Sequence, residues 1–371
     1  MLDSKLPNVI QHASSVEVRW EDGSVATLPH LWLRDSCGCA ECRHPQTSEK
    51  IFLLSSVAVD LKPANVALLD DTLNITWPDG HESCYTAAEV HATGYGQNPC
   101  WVPWADNFQP PKIDFHSFLA DDVLAAGTIA DFLQHGACIL KDAPVAPGTL
   151  EELAPRFGPV REVLFARIHD VEVEPEGYNV AHTSIELPPH NDFPSYSWPP
   201  SVQALHMLVN DTPGGESVIV DGWKLLRRYR NEHPEFFEIL RTTPVAFREF
   251  DEDNETFAVA PMIRCDTRGV ISNFRFSNQL MQRINPNAPG VSLFYEAYHE
   301  LCQHVTDPAA KVTFRLHAGE ILLLASHRVL HGRNQFEAIA RRHLQDAYFE
   351  LDNVKGHSVV LQRRSGKSSE E

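Results

Sequence analysis

The sequence predicts a mostly β protein with flanking helices, an antiparallel two-sheet roll preceded by a small β-rich unit. Three observations carry this expectation. From Val202 onward, short strand-like runs and turns follow one another without strand–helix–strand alternation. The first hundred residues contain two strand–turn–strand repeats, each with an Asp-Gly turn. With 371 residues, 43% of them hydrophobic and 22% charged, the chain has the composition of an ordinary soluble protein and core enough for one large domain and one smaller one.

In chain order, Val16–Trp20 and Ser24–Leu28 alternate around Asp22-Gly23, and Leu73–Trp77 and His81–Tyr85 repeat that plan around Asp79-Gly80. Between the two hairpins lies Cys37-Gly38-Cys39-Ala40-Glu41-Cys42. Three thiols at this spacing, followed by His81, fit a closed tetrahedral zinc site, with Cys84 as a substitute fourth ligand. Four protein ligands leave no open position, so this metal would be structural in a unit too small to be stable on its core alone. The competing reading is three reduced, partly buried thiols. Cys138, Cys265 and Cys302 are scattered and read as small core hydrophobes.

Residues 1–100 are therefore expected to form a zinc-binding β domain, and the Trp- and Pro-rich residues 101–113 a linker. Residues 114–362 would form the large domain, and the polar residues 363–371 a disordered tail. Amphipathic helices are expected over Asp122–His135 and Thr149–Phe157, each ended by a glycine, with a buried strand Ala137–Leu140 between them. Two further helices are expected near Gly222–Asn231 and Gly290–His304.

The chemistry concentrates in two places. His190 and Asp192, in Leu187-Pro188-Pro189-His190-Asn191-Asp192-Phe193-Pro194, would share one side of an extended segment. His331 follows the apolar run Ile321–Ala325, and Arg342 lies eleven residues beyond it, ahead of the strand-like run Gln345–Leu351. Two imidazoles and one carboxylate suit iron(II) on one face and leave three coordination positions open. A nearby arginine offers a two-pronged clamp for a dicarboxylate. A formal net charge of −19 excludes nucleic acid and an anionic membrane surface as partners. No signal-like or membrane-spanning segment is visible, and a cytoplasmic location is expected.

These residues resemble the Fe(II)/2-oxoglutarate dioxygenases of the γ-butyrobetaine dioxygenase branch, related to taurine dioxygenase. The resemblance rests on Leu31-Trp32-Leu33-Arg34-Asp35 with the Cys run, Trp77-Pro78-Asp79-Gly80-His81, His190-x-Asp192, Gly214-Gly215-Glu216-Ser217, Val220-Asp221-Gly222-Trp223, His331-Gly332-Arg333 and Arg342-His343-Leu344. It implies a double-stranded β-helix (jelly-roll) catalytic domain, a zinc-binding N-terminal domain and a homodimer. It implies iron held by His190, Asp192 and His331, and 2-oxoglutarate held by Arg342 with help from Ser217, with ascorbate as reductant. His317, His327 and His343 are rival distal ligands. A non-catalytic β-barrel interaction protein is the alternative from another class, disfavoured because all four of His190, Asp192, His331 and Arg342 are present.

In that branch an aromatic cage holds a trimethylammonium group by cation–π attraction. The cage positions fall on Phe165, His169, His182 and Tyr348, with Tyr196 and Trp198 as further candidate faces. Asn179 matches one carboxylate contact, and the second falls near Arg275 or Asn273. An arginine there would favour a phosphonate, which points to hydroxylation of 2-(trimethylamino)ethylphosphonate, with γ-butyrobetaine as the alternative. The plainer reading of Arg275 is an ion pair with Asp251 or Glu249.

Overall fold

The computed structural model describes residues 8–20, 23–69, 72–86, 89–90, 101–164, 166–173, 180–251 and 253–364. The chain divides into two compact units, Met1–Asn98 and Pro99–Glu371. Among the described residues no helix is long and apolar enough to cross a membrane.

The first unit holds two three-stranded antiparallel sheets. One is β1 (Asn8–Gln11), β2 (Ser15–Arg19) and β3 (Val25–Pro29), and the other is β4 (Asn65–Leu69), β5 (Thr72–Thr76) and β6 (Glu82–Thr86). Strand alternation sends Val16, Val18, Leu73, Ile75 and Tyr85 into one core with Leu33 and Trp77. Both expected hairpins are present, each strand displaced by about one residue.

In the second unit, strands β7 (Lys112–Asp114), β8 (Ala137–Lys141), β9 (Ile168–Glu172), β10 (Leu187–His190), β11 (Val202–Asn210) and β12 (Ser217–Asp221) lead into two hairpins. These are β13 (Val245–Phe250) with β14 (Glu255–Ala260), and β15 (Ile263–Cys265) with β16 (Ile271–Phe274). Strands β17 (Lys311–Phe314), β18 (Ile321–Ala325), β19 (Val329–Arg333) and β20 (Arg342–Phe349) follow. A six-stranded sheet, ordered β7-β8-β18-β11-β20-β9, faces a four-stranded sheet, ordered β10-β19-β12-β17. This is the two-sheet roll of a double-stranded β-helix.

The apolar runs are continuous because both faces of the larger sheet are covered. Along β18, Ile321, Leu323 and Ala325 pack with the helices Asp122–His135 and Leu351–Arg364, whereas Leu322 and Leu324 join Met207, Ile219 and Leu344 in a separate cluster. Helices Gly222–Glu232, Pro234–Thr242 and Val291–Thr306 make a third core with the two hairpins.

A buried ion pair ties the roll together. Asp221 accepts from Arg328 Nε (2.9 Å) and Nη2 (2.6 Å), and from the backbone N–H groups of Trp104, Trp223 and Lys224. Arg328 also donates to the carbonyls of Gln134 and Val102. Asp221→Ala strands this guanidinium, which is 1% exposed. The expected cost is ~3–5 kcal/mol in chemical denaturation.

The structure corrects four expectations. Trp104, assigned to a linker, is buried in the second unit's core, stacked on Phe108. Helices Phe115–Ala120, Pro234–Thr242 and Leu351–Arg364 were not foreseen. The segment Thr149–Phe157 is a 3-10 turn running into one helical turn. The tail expected to be disordered begins inside the last helix, and residues 365–371 lie outside the described residues.

Candidate active site

The pairing of β10 with β19 sets His190 directly opposite His331. Gly332 permits this approach: a Cβ there would lie 2.5 Å from the Leu187 carbonyl and 3.0 Å from Pro189 N. Asp192 lies just past the end of β10, not on an extended strand, and Phe193 after it has φ +50°. The excursion is held by Asn191. Its N–H donates to the Phe276 carbonyl, its side-chain oxygen accepts from Phe276 N–H, and its amide donates to the Ser326 carbonyl (2.6 Å).

The donor atoms of His190, Asp192 and His331 lie within 4.8 Å of one another. His190 Nε2 is 3.2 Å from Asp192 Oδ1, and His331 Nε2 is 3.6 Å from Oδ2. Adjacent ligands on an octahedral ion with bonds of ~2.1 Å stand ~3 Å apart, so the trio fits one face of such an ion. Nδ1 of His190 meets the Pro188 carbonyl at 2.9 Å, which requires a proton there and leaves the Nε2 lone pair for a metal. Oδ2 of Asp192 accepts from the Tyr348 hydroxyl (2.7 Å) and from the Gln203 amide (2.5 Å), leaving Oδ1 toward His190. Burial opposes ionisation of Asp192, but the two histidines and the Tyr348 hydroxyl outweigh it and hold the carboxyl far below its usual range. Burial, against the opposing charge of Asp192 and with that of His190, lowers His331 to about 4, so it is a neutral imidazole, the form that a metal would take as ligand.

Arg342, Leu344, Asp346 and Tyr348 alternate along one face of β20. Arg342 is buried, and its Nε has no partner among the described residues. Burial, then the nearby Arg315, lowers it to about 10. Arg333, whose Nη2 donates to the Thr183 and Ile185 carbonyls, is likewise lowered to about 10 by burial and by Arg342. Both guanidiniums lie over the Phe336 ring. Two buried cations with no carboxylate partner among the described residues form a socket for an anion, the chemistry that a dicarboxylate co-substrate requires. Ser217 is buried on β12 in register with Arg333.

Beside His190 and Asp192 opens a cavity of about 300 Å³, lined also by His169, His182, Phe193, Glu249, Asp346 and Tyr348. Three of the expected substrate residues, His169, His182 and Tyr348, are therefore brought together, while Phe165 and Asn179 lie outside the described residues. His169 stands opposite Asp346 across β9 and β20, with Nδ1 3.1 Å from its carboxylate. Glu249, Asp346, Gln203 and Asn191 were missed from the sequence. Burial, then the charge of Asp192, pushes Glu249 up to about 7. Asp346 could have been found, since it falls two residues from Tyr348 and four from Arg342 in one strand.

Other expectations fail. Arg275 is 2% exposed and donates to the carbonyls of Pro194 (2.6 Å) and Ser197 (3.3 Å). It braces the loop after Asp192 and pairs with neither Asp251 nor Glu249, and neither it nor Asn273, which pairs with Arg264 on the β15–β16 hairpin, lines the cavity. Tyr196 lies under Arg161, and Trp198 is exposed against His327. The rival ligands are engaged elsewhere: His317 with Glu320, His327 with the Pro199 carbonyl, and His343 with Asp170.

In the first unit, His81 Nε2 lies 3.3, 3.7 and 3.5 Å from the sulfurs of Cys37, Cys39 and Cys42. Tetrahedral zinc with ordinary Zn–S and Zn–N bonds sets such pairs ~3.6 Å apart, so the cluster fits that ion. Nδ1 of His81 meets Glu41 Oε2 at 3.2 Å, a carboxylate that would orient the ring, and Arg34 donates to Cys42 Sγ at 3.2 Å. Cys84 stands apart, exposed and hydrogen-bonded to Asn74. Cys42→Ser, or stripping the metal with a chelator, withdraws on the order of 10 kcal/mol of binding energy. Amide protection in β2 and β5 is then expected to collapse, whereas Cys84→Ser leaves it intact.

A double-stranded β-helix that brings two histidines and an aspartate within reach of one ion, and buries an arginine whose Nε has no partner among the described residues, is the architecture of an iron(II)/2-oxoglutarate oxygenase. The sequence model for the taurine catabolism dioxygenase TauD, TfdA family matches residues 102–348, and that for the γ-butyrobetaine hydroxylase-like N-terminal region matches residues 8–90. The chain is 33% identical to γ-butyrobetaine dioxygenase of Pseudomonas sp. (strain AK-1), over 98% of this chain and 97% of that one. It is 28% identical to the Homo sapiens γ-butyrobetaine dioxygenase, over 95% of each. It is 27% identical to Homo sapiens mitochondrial trimethyllysine dioxygenase, over 95% of this chain and 86% of that one. A crystal structure of asparagine oxygenase superposes with a TM-score of 0.50 over 65% of this chain and 92% of that one, at 16% identity, a likeness of fold alone. The chain belongs to the TauD/TfdA dioxygenase family, and it is an iron(II)- and 2-oxoglutarate-dependent dioxygenase.

Proposed function

We propose that the enzyme hydroxylates a small trimethylammonium carboxylate of the γ-butyrobetaine type, in the cavity beside His190 and Asp192. The observation that carries this is the cavity's lining. The rings of His169, His182 and Tyr348 line it together with Glu249 and Asp346, and no Lys or Arg is among the described lining residues. Such a wall attracts a quaternary ammonium by charge and by π-faces. Nothing among the described lining residues selects a phosphonate over a carboxylate, because Arg275, on which that preference rested, is committed to backbone carbonyls. The relatives' γ-butyrobetaine and trimethyllysine activities point the same way.

In this reading His190, Asp192 and His331 would hold iron, and Arg342 would take the distal carboxylate of 2-oxoglutarate with Ser217 beside it. Bound there with 2-oxoglutarate and O₂, iron supplies the oxidising power to insert one oxygen atom into a substrate C–H bond as the co-substrate becomes succinate and CO₂. The chain's own part is positional. Tyr348 and Gln203 fix the Asp192 carboxylate, Pro188 fixes the His190 tautomer, and the lining would hold the ammonium so that one carbon lies beside His190 and Asp192.

The acid-rich wall also favours a second reading, a substrate with an additional amine such as trimethyllysine. Supplying γ-butyrobetaine, trimethyllysine and 2-(trimethylamino)ethylphosphonate together, with iron, ascorbate and 2-oxoglutarate, distinguishes them by product mass. Hydroxylated γ-butyrobetaine as the main product is expected. A main product from trimethyllysine selects the second reading, and one from the phosphonate overturns both.

A further inference from the structure

A second cluster of ligand-type side chains lies away from the catalytic cavity, where three helices of the second unit meet. Glu232 closes the helix Gly222–Glu232, His233 links it to Pro234–Thr242, and Glu300 and His304 sit one turn apart on Val291–Thr306. One donor atom each from Glu232, His233 and His304 falls within 4.8 Å of the others. His304 Nε2 is 3.4 Å from Glu232 Oε2, and His233 Nε2 is 3.7 Å from Glu300 Oε1. Ligands on a tetrahedral ion with Zn–N and Zn–O bonds of ordinary length stand ~3.3 Å apart.

The orientation of these groups suits coordination. His304 Nδ1 meets the Glu300 backbone carbonyl at 3.0 Å, so its proton sits there and the Nε2 lone pair turns toward Glu232. Arg228 occupies Glu232 Oε1 at 2.9 Å and leaves Oε2 for the cluster. The rings are held by aromatic neighbours: His233 stacks on Phe236, and His304 packs edge-on against Tyr229. The His304 ring is largely buried, with a side-chain exposure of 13%, and the His233 ring is partly exposed at 33%. None of the four residues lines the catalytic cavity.

We propose that Glu232, His233 and His304 bind a divalent transition-metal ion, zinc by preference, at a site separate from both the Cys-His cluster and the catalytic centre. Two imidazoles and one carboxylate match zinc, with its fourth position left to water, better than calcium or magnesium, which take oxygen ligands. The ion would pin the end of one helix to the last turn of another, and so stabilise the core beneath them.

The test uses the full chain with its Cys-His cluster zinc-loaded and its catalytic site filled anaerobically with iron(II) and 2-oxoglutarate. Protein is dialysed against micromolar free zinc, and bound metal is counted by mass spectrometry for wild type, His233→Ala and His233→Ala/His304→Ala. One more zinc equivalent is expected in wild type than in the double variant, with a zinc-dependent rise in Tm that only wild type shows. His233→Ala removes a partly exposed ring, so it keeps the comparison available if the double variant does not fold. Equal zinc content and equal Tm response in wild type and His233→Ala would overturn the proposal and leave the cluster as a set of His–Glu ion pairs.

Discussion

His331→Ala is expected to abolish oxygen-dependent turnover of 2-oxoglutarate while leaving the chain folded. His331 lies in β19, directly opposite His190, and its ring would supply one of the three ligand atoms that this cluster offers among the described residues. A face reduced to one imidazole and one carboxylate no longer holds iron against water, so iron affinity and activity fall together. The fold has little at stake, because β19 is fixed by its ladders to β10 and β12 and by buried Val329 and Leu330. The contrast is Tyr348→Phe, which removes a hydrogen bond to Asp192 but no ligand and is expected to cost only ~10–100-fold in iron affinity or activity. Iron binding and succinate formation, measured side by side, separate the two classes.

Arg342→Met is expected to raise the KM for 2-oxoglutarate by ~10²–10³-fold, the equivalent of the ~3–5 kcal/mol lost when one member of a buried ion pair is removed. The same substitution should raise the Tm of the protein without co-substrate. Arg342 is buried, its Nε lacks a partner, and it depresses the neighbouring Arg333. Methionine removes that repulsion while filling a similar volume against Phe336. A catalytic loss joined to a gain in stability marks a residue kept for its ligand, and a fall in both would mark a structural arginine. Thermal scans with and without 2-oxoglutarate read both signs at once.

The site residues legible in the sequence were those whose chemistry is local. The Cys run, His190-x-Asp192 and His331 are concentrated signals, and the apolar runs around them place them on strands. The elements missed were those whose pattern needed a period check. Leu351, Val354, Ser358 and Leu361 recur at helical spacing and are buried, but the run reads as polar by composition. Pro234–Thr242 begins with proline at its first position, a start signal overlooked beside the preceding helix. What no sequence pattern shows is the direction of a long side chain. Arg275 falls near a carboxylate-binding position of the related branch, yet its guanidinium turns to the Pro194 and Ser197 carbonyls. Glu249 lies far from the motifs along the chain and reaches the cavity only through the hairpin of β13 and β14.

His190, Asp192 and His331 would build one iron face, with Arg342 holding the co-substrate. An anaerobic titration of iron(II) into the protein with 2-oxoglutarate, followed by visible absorption, tests this most directly, since a 2-oxo acid chelated to iron(II) gives a charge-transfer band that neither gives alone. The band is expected to saturate at one iron per chain in wild type, to vanish in His331→Ala, and to return in Arg342→Met only at far higher 2-oxoglutarate. An undiminished band in His331→Ala would contradict the account, because iron and 2-oxoglutarate would then meet elsewhere on the molecule.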